Sequence, residues 1–325
     1  MHTVPVSRPE SISSAAHELT HPLGETREVA DGVACVRTAI VNLYLCGPEH
    51  AGDRGWVLVD AGMPGSAARI RTAAAKRFGE AARPSAIVLT HGHFDHVGAL
   101  EELADEWDVP VYAHPLELPY LTGRTAYPAP DPTVGGGAMA VLSFLYPRGP
   151  IDIGTRAREL PADGTVPGLP DWRWVHTPGH APGHVSLFRE RDRCLLAGDA
   201  VITVKQESAL AVWTQRPELH GPPTYFTPDW GAAAASARVL AALDPEILAS
   251  GHGLALSGRH MRAALDTLAS GFEQIAVPPA GRYVDRSRIA LRYGDPRPSN
   301  ALLLIAGAAL VGAAGSALTR RLRRR

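Results

Sequence analysis

The sequence is poor in cysteine: Cys35, Cys46 and Cys194 are few, odd in number and scattered. That spacing argues against a disulfide framework and fits a reducing compartment. No two of them form a CxxC pair, which argues against a thiolate zinc site. A surplus of charge of one sign is also missing. The formal net charge is −1, so no global field draws nucleic acid or acidic ligands. The stretch from Met1 to Leu23 has no basic region followed by an apolar run, and so does not read as a secretory signal. No internal repeat at a fixed short period is visible.

What is present is ordinary globular material: 325 residues, 45% hydrophobic and 20% charged. That is enough for a large core, as two domains or as a single α/β sandwich. Residues 1–28 are polar with Pro and Ser and read as an N-terminal arm. Residues 29–277 read as the folded domain. Residues 278–299, with Pro278, Pro279, Pro296 and Pro298, read as a linker. In residues 300–325, the run Ala301–Leu318 carries no charge and is followed by Arg320, Arg321, Arg323, Arg324 and Arg325. As a helix it would be about 27 Å long, against about 30 Å of hydrocarbon. The expectation is a single-pass C-terminal membrane anchor; a buried Ala-rich terminal helix is the alternative. The arginines favour the cytoplasmic side for the tail, which would put the domain outside. The missing export signal favours a cytoplasmic domain, and we place it there.

Between the ends, apolar runs alternate with helical spacing. Val33–Val36 and Asn42–Leu45 read as strands of a hairpin, and Trp56–Val59 as a strand ending in the turn Asp60-Ala61-Gly62. Ala67–Phe78 and Gly98–Trp107 read as helices, with strands at Ala86–Leu89 and Val109–Ala113. Tyr127–Gly154 is rich in Pro and Gly around an apolar stretch, Ala138–Tyr146, and reads as an insertion that covers a site. Strands follow at Trp172–His176, Val185–Phe188, Cys194–Ala197 and Glu246–Ala249, and helices at Ala232–Leu243 and Gly258–Phe272. The rhythm is that of an α/β fold.

There are 14 histidines, and where they cluster matters more than the total. His91-Gly92-His93-Phe94-Asp95-His96 lies between an apolar strand and a helix. If the segment is extended, His91, His93 and Asp95 face one point, and the turn into the helix brings His96 to a second point. Imidazole and carboxylate in this density suit a divalent transition metal. Further ligands should come from other strand ends, where His180, Asp199 and His252 each follow an apolar run. Asp199 has the setting of a bridge, because a carboxylate can span two cations about 3.5–4 Å apart.

The order HxHxDH, then TPGH, then GD, then GH resembles the metallo-β-lactamase superfamily, within it the branch of glyoxalase II and the acyl-homoserine lactonases. The likeness covers roughly Gly32 to Phe272 and includes Val59-Asp60-Ala61-Gly62 and the double motif Thr-Pro-Gly-His-Ala-Pro-Gly-His at 177–184. It implies an αββα sandwich. It also implies one metal held by His91, His93 and His180, a second held by Asp95, His96 and His252, and Asp199 as the bridge. The metals would be two divalent ions, zinc first and manganese or iron(II) otherwise. Three departures narrow the branch. His96 is kept, unlike zinc β-lactamases that replace it. Asp199 stands where many of those enzymes lack a ligand or carry Cys. His93 is not Glu, which argues against the flavodiiron pattern.

Two cations sharing a water lower its pKa from about 15.7 towards neutrality, which gives a hydroxide able to attack a carbonyl or phosphoryl centre. Asp95 would ligate the second metal and also orient the nucleophile or pass a proton to the leaving group. The branch implies hydrolysis of a small ester, thioester or lactone. A single-iron persulfide-dioxygenase-like oxidoreductase using His91, His180 and Asp199 is one alternative, and a nuclease of the same fold is another. A non-catalytic scaffold would not need seven convergent ligands. Asp60 reads equally as a support for a ligand histidine and as a turn cap. His184 and His114 read as structural. Tyr120, Tyr146, Lys205 and Tyr225 could line a pocket but more often such residues are simply packed.

Overall fold

A computed structural model describes residues 26–284. Among these, two sheets stack face to face. The first holds β1 (Thr26–Ala30), β2 (Val33–Thr38), β3 (Val41–Cys46), β4 (Val57–Val59), β5 (Ala86–Val88), β6 (Val111–Ala113) and β7 (Ala157–Glu159), side by side in chain order. Strands β1 to β4 form an antiparallel meander, and β4 to β7 run parallel. The second sheet holds β8 (Thr165–Val166), β9 (Leu169–His176), β10 (Val185–Arg189), β11 (Cys194–Leu196), β12 (Ile247–Ala249) and β13 (Leu256–Ser257), with β13 and β8 at its edges. There β11 and β12 are parallel and the other neighbours antiparallel.

Period-two alternation builds four layers from these strands, because both faces of each sheet are apolar. On β2, Val33 and Cys35 join the core between the sheets, whereas Ala34 and Val36 join the core under the first pair of helices. Those helices are α1 (Ala67–Phe78) and α2 (Leu100–Trp107). Ile70, Phe78, Leu100, Leu103 and Trp107 face Leu43, Leu45, Leu58 and Ile87. The second sheet repeats the scheme: Leu187 and Leu196 point inward, Leu195 and Leu248 outward. After α3 (Leu118–Leu121), α4 (Ala138–Val141) and α5 (Ala209–Thr214), the outer cover is α6 (Trp230–Ala242), α7 (Gly258–Ser270) and α8 (Phe272–Ile275). The expected αββα sandwich is the observed fold. Cys35, Cys46 and Cys194 are unpaired and lie in the layer between the sheets. Burial pushes the Cys35 and Cys194 thiols up to about 12, so neither is a thiolate donor.

Three expectations need correction or limits. The polar arm ends before Thr26, because β1 pairs with β2 through Arg27 opposite Cys35. The apolar terminal helix, the Arg-rich tail and most of the linker lie outside the described residues. Among the described residues no helix is long and apolar enough to cross a membrane. The longest, α6 and α7, have 13 residues each, or about 20 Å of helix against about 30 Å of hydrocarbon.

The insertion lies where it can cover the histidine loop. Met139 and Ala140 of α4 pack with Tyr225 and Phe226, and Phe94, Ile40 and Tyr146 lean on that cluster. Phe94 is the apolar member of the HGHFDH loop, so the insertion is fastened to the loop itself.

Candidate metal centre

The seven expected donors meet at one edge of the sandwich. The parallel register Val59 opposite Val88 ends β4 and β5 together, which puts Asp60 beside the loop of His91. In the second sheet Leu196 is level with Ala249, so Asp199 and His252 emerge side by side. Strand β9 runs parallel to β11 through the intervening antiparallel β10, and its loop carries His180 to the same edge.

Three donor groups, each with its ligand atoms within 4.8 Å of one another, form there: His91, His93 and His180; His91, His96 and Asp199; Asp95, His96 and His252. The extended-loop reading is corrected on one point. Backbone bonds from His96 N and Val97 N to His93 O make the segment a turn from His93 onward. Asp95 therefore joins His96 and His252 rather than His91 and His93. Asp199 sits in the middle, 3.0 Å from His252 Nε2, 3.4 Å from His180 Nε2 and 3.5 Å from His96 Nε2. His93 Nδ1 and His180 Nε2 face each other at 2.9 Å.

The hydrogen bonds behind the rings fix their tautomers. Ile40 O can only accept, so His252 Nδ1 donates to it at 2.7 Å and Nε2 faces the site. Asp60 Oδ2 likewise takes His96 Nδ1–H at 2.9 Å. Thr90 spends its hydroxyl proton on Asp60 at 2.8 Å, so it accepts from His91 Nδ1 at 3.1 Å. Three imidazoles thus turn Nε2 toward the site, the orientation that supporting partners give metal-binding histidines. Asp60 also accepts from Thr90 N at 2.8 Å and has a left-handed φ of 62°. It is both the turn cap and the support for a donor. His184 has both nitrogens engaged, with Thr177 Oγ1 at 2.9 Å and with Asp199 N at 2.8 Å. It is structural, and it holds the backbone of Asp199.

Burial in this cluster disfavours charge. It holds His91 and His180 well below the usual imidazole range and His93 down to about 3, with neighbouring imidazoles adding to the effect. At His96, burial is outweighed by the carboxylates of Asp199 and Asp60, which hold the ring well above its usual range. At His252, burial is likewise outweighed, chiefly by Asp199. Burial opposes ionisation of Asp199 too, but His252 and His96 keep it ionised well below the ordinary carboxylate range. Asp95 is raised by burial.

The donor set fits a divalent cation. His91 Nε2, His96 Nε2, His180 Nδ1 and Asp199 Oδ1 are buried without a hydrogen-bond partner. Each such atom costs about 1–3 kcal/mol if nothing else holds it. Nitrogen and carboxylate oxygen together suit zinc, manganese or iron rather than magnesium or calcium.

Several contributors were not visible as motifs. Glu117 is fully buried; Oε2 accepts from Gly92 N at 2.9 Å and Oε1 from Gly183 N at 2.8 Å. It thus ties the loop of His91 and His93 to the loop of His180. Tyr127 hydroxyl bonds to the same carboxylate, and its ring lies 4.3 Å from His93. Asn42 Nδ2 donates to Ser250 O at 2.9 Å and Gly253 O at 2.7 Å, and Tyr44 hydroxyl donates to Ser250 O at 2.7 Å. The first sheet thereby holds the loop of His252. Gly251 leaves room for the bridge position, since a Cβ there would come within 2.0 Å of Asp199 Oδ1. Only a buried Glu at 117 could have hinted at this, and burial is not visible in one sequence.

Of the other candidates, Tyr146 lies 5.5 Å from the Phe94 ring, and Tyr225 packs on Tyr146 at 5.8 Å. Tyr120 stacks on Tyr127 at 3.8 Å. Lys205 is partly exposed in the turn before α5, and His114 stacks on His176 at 4.3 Å. Neither Lys205 nor His114 belongs to the donor groups.

An αββα sandwich with a buried His/Asp cluster at one edge defines a metal-centre protein. The family model described as Metallo-beta-lactamase superfamily matches residues 38–252, and the chain belongs to that superfamily. The match ends on His252, the last of the seven expected donors. The Bacillus subtilis (strain 168) protein described as "Probable metallo-hydrolase YflN" is 50% identical over 248 residues, which are 76% of this chain and 94% of the relative. "Probable metallo-hydrolase YybB" of the same strain is 32% identical over 197 residues, 60% of this chain and 74% of the relative. Among crystal structures, a beta-lactamase domain protein from Burkholderia ambifaria matches with a TM-score of 0.54 at 22% identity, over 79% of this chain and 75% of its own. BJP-1, a subclass B3 metallo-beta-lactamase of Bradyrhizobium japonicum, gives 0.51 at 20% identity, over 77% and 92%. At these identities the structural likeness speaks for the fold alone. Neither the described helices nor the match to YflN supports a membrane anchor. The expected transmembrane helix at 301–318, the membrane association and the membrane location are therefore withdrawn.

Proposed function

We propose that the protein is a metallo-hydrolase that cleaves a small ester, thioester or lactone with two divalent cations, zinc in the first instance. His91, His93 and His180 would hold one cation, and Asp95, His96 and His252 the other, with Asp199 shared between them. The observation that carries this reading is the overlap of three buried donor groups through His91 and His96, in which His91 Nε2, His96 Nε2, His180 Nδ1 and Asp199 Oδ1 have no hydrogen-bond partner. Bound cations would supply Lewis acidity and a water acidified to near neutrality. That water's oxygen would then bond to the acyl carbon as the bond to the leaving oxygen or sulfur breaks. Asp95, buried within the donor cluster, would orient the nucleophile or pass a proton to the leaving group. Asp60, Ile40 O and Thr90 keep the donors oriented throughout. The description of the relatives as metallo-hydrolases supports the reaction class.

Elemental analysis of the purified protein, with turnover measured on thioester, lactone, β-lactam and phosphodiester substrates, tests the proposal. The expected result is about two zinc or manganese ions per chain and chelator-sensitive hydrolysis of the first two substrate classes. One iron per chain with no hydrolysis would favour the dioxygenase alternative, and phosphodiester cleavage alone would favour the nuclease.

A further inference from the structure

We infer that residues 135–147 form a flap over the donor cluster, and that a substrate reaches the cations only when this flap lifts from Glu207 and Phe226. The inference rests on the hydrolase reading above and adds the gate that such a site requires.

The cluster as it stands is shut. All seven expected donors are buried, and the most exposed of them, Asp95, is only 7% exposed. The enclosed space beside His93 and His180 measures about 10 Å³, room for about one water molecule. An ester or thioester carbonyl with its two substituents is larger than that, so part of the cover must move. Much of the cover is pinned. Tyr283 hydroxyl donates to Ala129 O at 2.5 Å, and Asp131 N donates to Tyr225 O at 2.8 Å. Tyr127 N donates to Arg148 O at 2.9 Å, and the Arg148 guanidinium donates back to Tyr127 O at 3.1 Å.

The stretch between those pins is held differently. Among the described residues, a single hydrogen bond joins 135–147 to the rest of the protein, from Met139 N to Glu207 O at 3.1 Å. Its other attachments are apolar. Met139 and Ala140 of α4 pack on Tyr225 and Phe226, and the Tyr146 ring lies 5.5 Å from Phe94 and 6.0 Å from Phe226. Phe226 in turn stacks on His93 at 4.7 Å, so the inner face of the flap lies over a ring that covers one donor group. Burial, and then the Asp95 carboxylate, raise the Tyr146 hydroxyl, which sets the same face near the second group. Tyr146 hydroxyl donates to Met139 Sδ at 3.6 Å, which braces the two ends of the flap to move together. On the outer face Val141, Leu142 and Phe144 are exposed. At the root, Gly135 and Gly136 have left-handed φ of 78° and 89°, where glycine changes backbone well without the penalty that a Cβ brings. A segment held by one hydrogen bond and a few apolar contacts opens at far lower cost than the sheets unfold. Flaps over active sites move in this way, on the microsecond-to-millisecond scale.

The test is amide hydrogen exchange on the metal-loaded full chain, with transfer of metal to the coloured chelator 4-(2-pyridylazo)resorcinol as a second measurement. The Met139 amide is hydrogen-bonded to Glu207, yet it should exchange at least about 100-fold faster than the interior amides of α6. Met139→Ala removes the flap's main inner anchor and should speed metal transfer by at least about tenfold. Met261→Ala makes the same change at a buried position of α7, away from the donors, and should leave transfer within about twofold. A Met139 amide as protected as those of α6, or equal acceleration in the two variants, would overturn the flap while leaving the hydrolase intact. Exchange and transfer as expected, without chelator-sensitive turnover of any ester, thioester or lactone, would remove the hydrolase reading and leave the flap as a gate for the metal.

Discussion

In the first sheet, four donors sit within one turn, from His91 to His96; in the second, His180, Asp199 and His252 arrive from three separate strand ends. The two halves therefore solve the same placement problem differently. The turn is local: strand β5 stops, two backbone bonds to His93 O close it, and the side chains follow. The second half depends on register. Asp199 and His252 are neighbours only because Leu196 is level with Ala249 across the parallel pair β11 and β12. It also depends on the first sheet, whose Asn42 and Tyr44 hold the 250–253 loop. A compact motif can thus be robust while its distant partners are held by fold-wide contacts.

That contrast can be broken most severely at its meeting point. Asp199→Ala removes the carboxylate both halves share, and turnover should fall by at least about 10³-fold with loss of bound metal but a retained fold. Activity at the level of the unmodified protein would defeat the assignment. Gly251→Ala replaces no donor, yet its Cβ would meet Asp199 Oδ1 at 2.0 Å and His96 Cε1 at 2.8 Å. It should lower activity by about 10²-fold through displaced donors, and full metal content with normal kinetics would show that the register has slack.

A milder probe is Glu117→Ala, which unties the loops on either side of the divide. Gly92 N and Gly183 N would each lose a buried acceptor, destabilising the protein by about 2–5 kcal/mol and weakening metal binding by about 10–100-fold. Denaturant titration and chelator competition read the two effects separately; unchanged values in both would make Glu117 a bystander. The smallest effect is that of pH. Asp199 and Asp60 hold a proton on His96, and Asp199 holds one on His252, above the usual imidazole range. A cation that takes those Nε2 positions must displace the protons, so affinity should rise with pH by about tenfold per unit for each proton released. Calorimetry in buffers of different ionisation heat counts them. If no protons were released, these two rings would not be donors.

Much of the αββα sandwich could be read from the chain, because adjacent strand residues serve opposite layers and the apolar runs are unbroken. Helix α1 falls on the expected residues, Ala67–Phe78. Strand β1 was hidden because its exposed polar residues look like an arm, and its pairing with β2 is not local. Asp60 carried two readings in sequence, and the fold supports both at once. His184 was correctly set apart from His180, though its bond to Asp199 N came only with the folded loop.

What the sequence determined by itself was chemistry: which side chains can bind a cation, and a local turn dense enough to present four of them. What the tertiary structure decided was partnership: that the turn at His93 sets Asp95 beside His252, as the family resemblance implied and loop spacing did not, that Glu117 ties two loops, and that Gly251 must stay small. The reason is physical. Side-chain type and strand alternation are properties of neighbouring residues, whereas burial, strand register and close approach depend on packing between segments far apart along the chain.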